Sequence, residues 1–195
     1  LINLSKRKSL LISTVKRIKT LGYGLSVKKI NHVSVIKDVF WGSIFPMELP
    51  VSKFLNIQNF IVSDGSVIED LSLAYQTWGN LNYNMDNAIL ICHGYTNHHH
   101  ALDKDIGWFN NFMGPYKAID TNKYFVICSN MLGSSFGTTG PKSIYKKTNK
   151  PYGSNFPKIT NLDIIKAQKL LVKSFKIKKL YAALGYSFGG HLVYL

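Results

Sequence analysis

Cysteine is scarce in this chain, acidic residues are few, and no apolar run is long. The only two cysteines are Cys92 and Cys128, each inside an apolar run, ILICH and FVICS. A pair of thiols is no disulfide framework, and neither has a Cys or His partner at metal-ligand spacing. Both read as small buried hydrophobes in a reducing compartment, which points to the cytoplasm. No apolar stretch reaches the roughly 18 residues of a membrane span. Leu10, Leu11 and Ile12 follow the basic cluster Lys6, Arg7 and Lys8, but Ser13 and Lys16 end that run too soon for a secretory signal. Asp and Glu together number 10 against 24 Lys and Arg, for a net charge of +14. Such a balance admits nucleic acid, an anionic membrane surface or a phosphorylated ligand as partners. Lysine, asparagine, isoleucine and tyrosine are frequent everywhere, however, and that bias raises charge without implying a partner. No aromatic-basic motif of a nucleic-acid reader is present, so nucleic-acid binding is not expected.

What is present is a globular composition, 46% hydrophobic and 17% charged, over 195 residues, enough for one sizeable core. Residues 1–40 stand apart. They hold nine lysines and arginines and a single acid, Asp38, with Leu10, Leu11, Val15, Ile18 and Leu21 near helical spacing. A basic amphipathic targeting segment is one reading; a poorly ordered basic extension, or translated upstream sequence, is the preferred one. The first residue is Leu1 and the first methionine Met47, so a mis-set start or a fragment is expected at this end.

From about residue 57 the pattern is regular. NFIVSDGSVIEDLSLAYQTWG reads as two strands joined at Asp64-Gly65, a hairpin-turn pair. Residues 87–94, 123–130 and 177–187 are three further apolar runs, a pattern that suits strands buried on both faces of a sheet. A helix lies between the last two, with Thr160 as N-cap, Asp163 three residues on, and Ile164, Ala167, Gln168, Leu171 and Phe175 at three- and four-residue steps. Strand, helix, strand predicts a crossover unit. The expected architecture is α/β, a mostly parallel central sheet with a leading antiparallel hairpin. The Gly-, Ser-, Thr- and Pro-rich stretch 131–157 reads as an ordered surface loop.

The strongest chemical signal is Gly185-Tyr186-Ser187-Phe188-Gly189-Gly190. Glycine, any, serine, any, glycine is the spacing of a nucleophile elbow, a tight strand-to-helix turn that lifts a serine hydroxyl clear of the backbone. Side chains at 185 and 189 are expected to collide in that turn. Ser187 then stands at a helix N-terminus, where backbone N–H groups favour negative charge. The second signal, His93-Gly94-Tyr95-Thr96-Asn97, directly follows a buried strand. In acyl transfer two backbone N–H groups hold the oxyanion, one from the residue after the nucleophile and one from such a loop. Here these are Phe188 and Tyr95. The His93 side chain is expected to buttress its loop. His98, His99 and His100 follow, with no carboxylate or cysteine at fixed spacing, and no metal is expected.

The blocks AYQTWGNLN, NAILICHGYTNHHH, GWFNNFMGP, AIDTNKYFVICSNMLGSSFGTTGP, PYGSNFPKIT and GYSFGG stand in that order. Together they resemble the homoserine O-acetyltransferase family of the α/β-hydrolase fold, over about residues 57–195. The resemblance implies transfer of an acetyl group from acetyl-CoA to the hydroxyl of homoserine, a step toward methionine, by a ping-pong route through an acyl group on Ser187. It implies no bound cofactor, the acyl-CoA being a substrate, and leaves a homodimer open for the full-length protein. Family members acting on homoserine usually read Gly-Gly-Ser-Met-Gly-Gly at the elbow, and a leucine is common at the place of Tyr95. Tyr186, Phe188 and Tyr95 are therefore expected to line the acyl pocket and to bear on the choice of acceptor. An esterase, a different hydroxyl acceptor or an inactive gene fragment are the alternatives. In this fold the triad runs Ser, then Asp or Glu, then His. The residues after Ser187 include no acid, and His191, one helical turn on, does not reach back over the serine. The chain, taken as residues 1–40 and the N-terminal part of a hydrolase-type domain at 41–195, is expected to stop after the elbow and to be inactive alone.

Overall fold

A computed structural model describes residues 51–195; the basic segment 1–40 lies outside the described residues. Strand β1 (Lys53–Ile61) and strand β2 (Val67–Trp78) pair antiparallel around the expected turn. In that turn the Gly65 N–H donates to Val62 O at 2.9 Å, and the Ser66 N–H donates to Asp64 Oδ1 at 2.9 Å. Strand β3 (Ala88–Cys92) follows, then two short strands, β4 (Met113–Gly114) and β5 (Ile119–Asp120), then β6 (Phe125–Ser129). A small hairpin, β7 (Ile144–Tyr145) with β8 (Lys150–Pro151), precedes helix α1 (Asn161–Ser174). Strand β9 (Ala182–Gly185) and helix α2 (Phe188–Tyr194) complete the order.

The main sheet runs β1-β2-β6-β3-β9. β2 pairs β6 antiparallel, whereas β6, β3 and β9 run parallel, so the crossover from β6 through α1 skips over β3 to place β9 beyond it. β3 and β6 are buried at every residue. Their side chains alternate between two cores, as a strand's period of two requires. Ala88, Leu90, Cys92, Phe125 and Ile127 face one side, against Ile164, Ala167 and Leu171 of α1 and Leu192 of α2. Ile89, Ile91, Val126 and Cys128 face the other, against Ala101, Met113 and Ile119 from the segment between β3 and β6. Cys92 and Cys128 are free, buried and in different cores. β9 begins later than the apolar run 177–187 suggests and is half-buried to exposed along its length. It has a neighbour only on the β3 side among the described residues.

Stretch 131–157 is ordered, but its first part is not on the surface. Met131, Leu132, Thr138 and Thr139 are buried. β6 covers β2 only from Tyr75 to Trp78, leaving the backbone of Ser72 and Ala74 open on that edge. The loop closes it. Asn130 N–H donates to Ala74 O (2.8 Å) and Thr139 N–H to Ser72 O (2.9 Å). Ala74 N–H donates to Thr138 Oγ1 (3.0 Å) and Ser72 N–H to Thr139 Oγ1 (2.9 Å). Buried backbone groups need partners, and here two threonine hydroxyls stand in for a strand.

Helix α1 starts as expected. Thr160 and Asp163 form a reciprocal capping box. Asp163 does more than cap. Its Oδ2 accepts from Thr160 N–H (2.7 Å) and Oγ1 (2.8 Å), while Oδ1 accepts from Ser63 N–H (2.8 Å) and Oγ (2.8 Å). The carboxylate thus ties the helix start to the residue just past β1, at 2% exposure. Burial pushes its carboxyl upward, but the bonds from Thr160 and Ser63 outweigh that and hold it below its ordinary 3.8. A depressed folded value contributes stability above the unfolded value, lost as pH falls through the folded one. Asp163→Ala is expected to cost about 2–3 kcal/mol at neutral pH in urea unfolding, with a smaller difference from the unaltered chain below about pH 4.

Candidate active site

The carboxyl ends of β3, β6 and β9 lie side by side, because the three strands are parallel neighbours. Whatever follows each strand therefore meets at one rim, where open α/β sheets bind ligands. After β9 comes Ser187, with φ 52° and ψ −129°, as N-cap of α2. That conformation is rare for a residue with a Cβ and costs of order 1–3 kcal/mol, sustained only by its surroundings. The serine is exposed, and its hydroxyl makes no capping bond. Gly190 and His191 N–H groups donate to Ser187 O, at 3.0 and 3.3 Å. Phe188, at the first position of α2, has an N–H with no intrahelical acceptor.

Both elbow glycines are required by space, for different reasons. A Cβ at Gly185 would lie 2.3 Å from Gly189 O, the collision within the turn that the spacing predicts. A Cβ at Gly189 would lie 2.0 Å from Cys92 O and 2.6 Å from His93 O. That second clash is not within the turn: Gly189 lets α2 rest on the end of β3.

The loop after β3 turns at Gly94–Asn97, where the Asn97 N–H donates to Gly94 O at 3.0 Å. Tyr95 occupies the second place of this turn, its N–H outside the turn's own hydrogen bond, and its side chain is exposed. His93 is fully buried. Its Nδ1 pairs with Gly94 O at 2.8 Å, and its Nε2 accepts from Met131 N–H at 3.3 Å. The second contact makes Nε2 the unprotonated nitrogen and joins the loops after β3 and β6. Burial lowers its pKa against the opposing pull of its partners Gly94 and Asn130, keeping it neutral. His93 is a buttress, as its sequence position suggests. Cys92, beside it, is no rival nucleophile, since burial pushes its thiol up to about 11.

The histidine tract is structural in the same sense. His99 and His100 are buried, and both Nε2 atoms meet Ser52 Oγ, at 2.7 and 3.3 Å. Their rings lie 4.0 Å apart, and His98 packs on Phe136 at 5.3 Å. Sequence reasoning missed this role, because the partners lie before β1 and in the loop after β6. It also missed what the aromatic residues beside the serine do. The Tyr186 ring packs at a tilt on Trp108 at 5.3 Å and its Oη accepts from Asn97 Nδ2, while Phe188 meets Tyr95 edge-on at 6.0 Å. These rings, expected to line an acyl pocket, are engaged with the loop after β3. His191 is exposed on α2.

Two outcomes test this geometry. Gly189→Ala is expected to destabilise the fold by about 3 kcal/mol or more, because backbone of β3 must give way. Gly190→Ala, whose Cβ would meet nothing nearer than 3.3 Å, should cost much less in the same thermal melts. His99 is held down to about 3, by burial first and by the neighbouring imidazoles. The unfolded chain binds that proton near 6.5 and the folded one does not, so stability falls as pH drops from about 6.5 toward 3. Urea midpoints taken between pH 7.5 and 5 should decline, and His99→Asn should make the decline shallower by about one proton.

Comparison with known proteins agrees with this fold. The model of the alpha/beta hydrolase fold family matches residues 87–194. The chain is 51% identical over 131 residues to a homoserine O-acetyltransferase of Methanosphaera stadtmanae, covering 65% of this chain and 27% of that protein. It is 44% identical over 142 residues to a serine O-succinyltransferase of Schizosaccharomyces pombe, covering 71% and 28%. Among solved structures, homoserine O-acetyltransferase from Bacillus anthracis superposes with a TM-score of 0.69 at 37% identity, over 73% of this chain and 41% of that one. Esterase E22 superposes with a TM-score of 0.68 at 34% identity, over 71% and 41%. The chain thus spans about a quarter to two fifths of the length of the proteins it matches. With a strained serine between β9 and α2, a mixed sheet of this strand order and a matching family model, the chain belongs to the α/β-hydrolase fold family.

Proposed function

We propose that these residues carry the nucleophile half of an O-acyltransferase, with acetyl-CoA as donor and the hydroxyl of homoserine as acceptor. The observation that carries this reading is Ser187, held at φ 52° on a strand-to-helix turn in a chain about half identical to homoserine O-acetyltransferases. In this reading Ser187 Oγ attacks the thioester carbonyl. The Tyr95 and Phe188 N–H groups hold the oxyanion of the tetrahedral intermediate, which collapses to an acyl-serine and releases the thiol of CoA. The acceptor hydroxyl then attacks the acyl-serine, giving the O-acyl product and freeing Ser187. The histidine that takes the serine proton, and the carboxylate that orients it, follow the nucleophile in this fold. No bound cofactor enters the scheme, since the acyl-CoA is consumed. The buried, protonated thiols Cys92 and Cys128 suit a reducing compartment such as the cytoplasm.

A second reading is favoured by the likeness to esterase E22, at 34% identity. There water replaces the amino-acid hydroxyl in the second step, through the same acyl-serine. Incubating the full natural protein with acetyl-labelled acetyl-CoA and homoserine separates the two. Label recovered in O-acetylhomoserine supports transfer, and label recovered only as acetate supports hydrolysis. Ser187→Ala should abolish the covalent acyl-protein and lower turnover by about 10⁴-fold or more in either case. Retained covalent label on that variant would remove Ser187 from the scheme.

A further inference from the structure

We propose that Tyr186 is a positioning residue that, with Asn97, fastens the turn Gly94–Asn97 to the nucleophile elbow and so sets the direction of the Tyr95 N–H; this rests on the roles given above to Ser187 and Tyr95. Tyr186 grips both ends of that turn. Its Oη accepts from Asn97 Nδ2 at the last residue. Its ring lies on the face of the first, where a Cβ on Gly94 would be 3.0 Å from Cε2 and Cζ. The ring is fixed in turn by Trp108, at 5.3 Å and 49°, whose Nε1–H donates to His98 O at 2.8 Å. On the other side of Ser187, Phe188 meets Tyr95 edge-on at 6.0 Å and 87°. Both neighbours of the nucleophile therefore hold the same four-residue turn.

The turn needs holding. Tyr95 is 78% exposed, and one backbone hydrogen bond closes the turn. An exposed turn with so few contacts opens at low cost. An oxyanion donor works by being in place before charge develops, so a wandering N–H contributes little. The latch places that donor from the residue next to the nucleophile, so donor and serine keep their spacing when the rim moves.

The test uses the full natural protein as the unaltered chain, Tyr186→Phe, Asn97→Ala and the double variant. Tyr186→Phe keeps the ring, its contact with Trp108 and the cover over Gly94, and removes only the hydroxyl. Each single change is expected to speed hydrogen exchange at the residue-97 amide, which closes the turn, by about 10-fold, and the double change by no more than either. Acylation of Ser187 by acetyl-CoA should slow by about 10-fold with the apparent affinity for the donor unchanged. Unaltered exchange at the residue-97 amide in Tyr186→Phe, or effects that add in the double variant, would overturn the latch. If the unaltered protein takes up no acyl label, the acyl-transfer reading falls, and the exchange data alone still decide the latch.

Discussion

The close approach of α2 to the end of β3 is the constraint on which the rest of the site depends. Gly189 allows it, since any side chain there would occupy the space of the Cys92 carbonyl. That contact brings two separate loops within reach of each other, and it makes the strained Ser187 backbone sustainable. A residue at φ 52° returns to an ordinary conformation unless its surroundings hold it. Here the strand before it is paired to β3, and the helix after it rests on β3 as well. The elbow is anchored at both ends to the same neighbour.

Several buried polar side chains around this contact follow one pattern: each joins segments far apart in the chain. His93 links the loops after β3 and β6 through Met131 N–H. His99 and His100 reach Ser52, before β1. Asp163 reaches Ser63, and Thr138 and Thr139 complete the edge of β2. Removing a buried partner costs more than the bond itself contributes, because the group left behind has lost its water. The rim is thus held by polar contacts whose loss is expensive, while the two cores beneath it are apolar and alternate along β3 and β6.

Much of this was legible in the residues. The hairpin at Asp64-Gly65, the two buried strands, the capped helix at Thr160 and the glycine–serine–glycine turn all rest on local rules, and all are found. The stretch after Asn130 was only half legible. Its glycines and prolines promise turns, and there are turns, but the burial of Met131, Leu132 and both threonines depends on β2 having an edge left open. Pairing between residues some 65 positions apart leaves no periodic trace. The same holds for Tyr186. By composition it is a bulky residue beside a serine; by position it spans a turn ninety residues earlier in the chain.

Sequence alone determined the main strands and the long helix, their order, the two-faced burial of the central strands and the turn on which Ser187 stands, because each follows from spacing that a strand, a helix cap or a tight turn imposes locally. Tertiary structure decided which carbonyl Gly189 must clear, which loop Tyr186 and Phe188 hold, and what the buried histidines are for. Those depend on which strands become neighbours, and β9 comes to lie beside β3 only because the chain between them folds over the sheet.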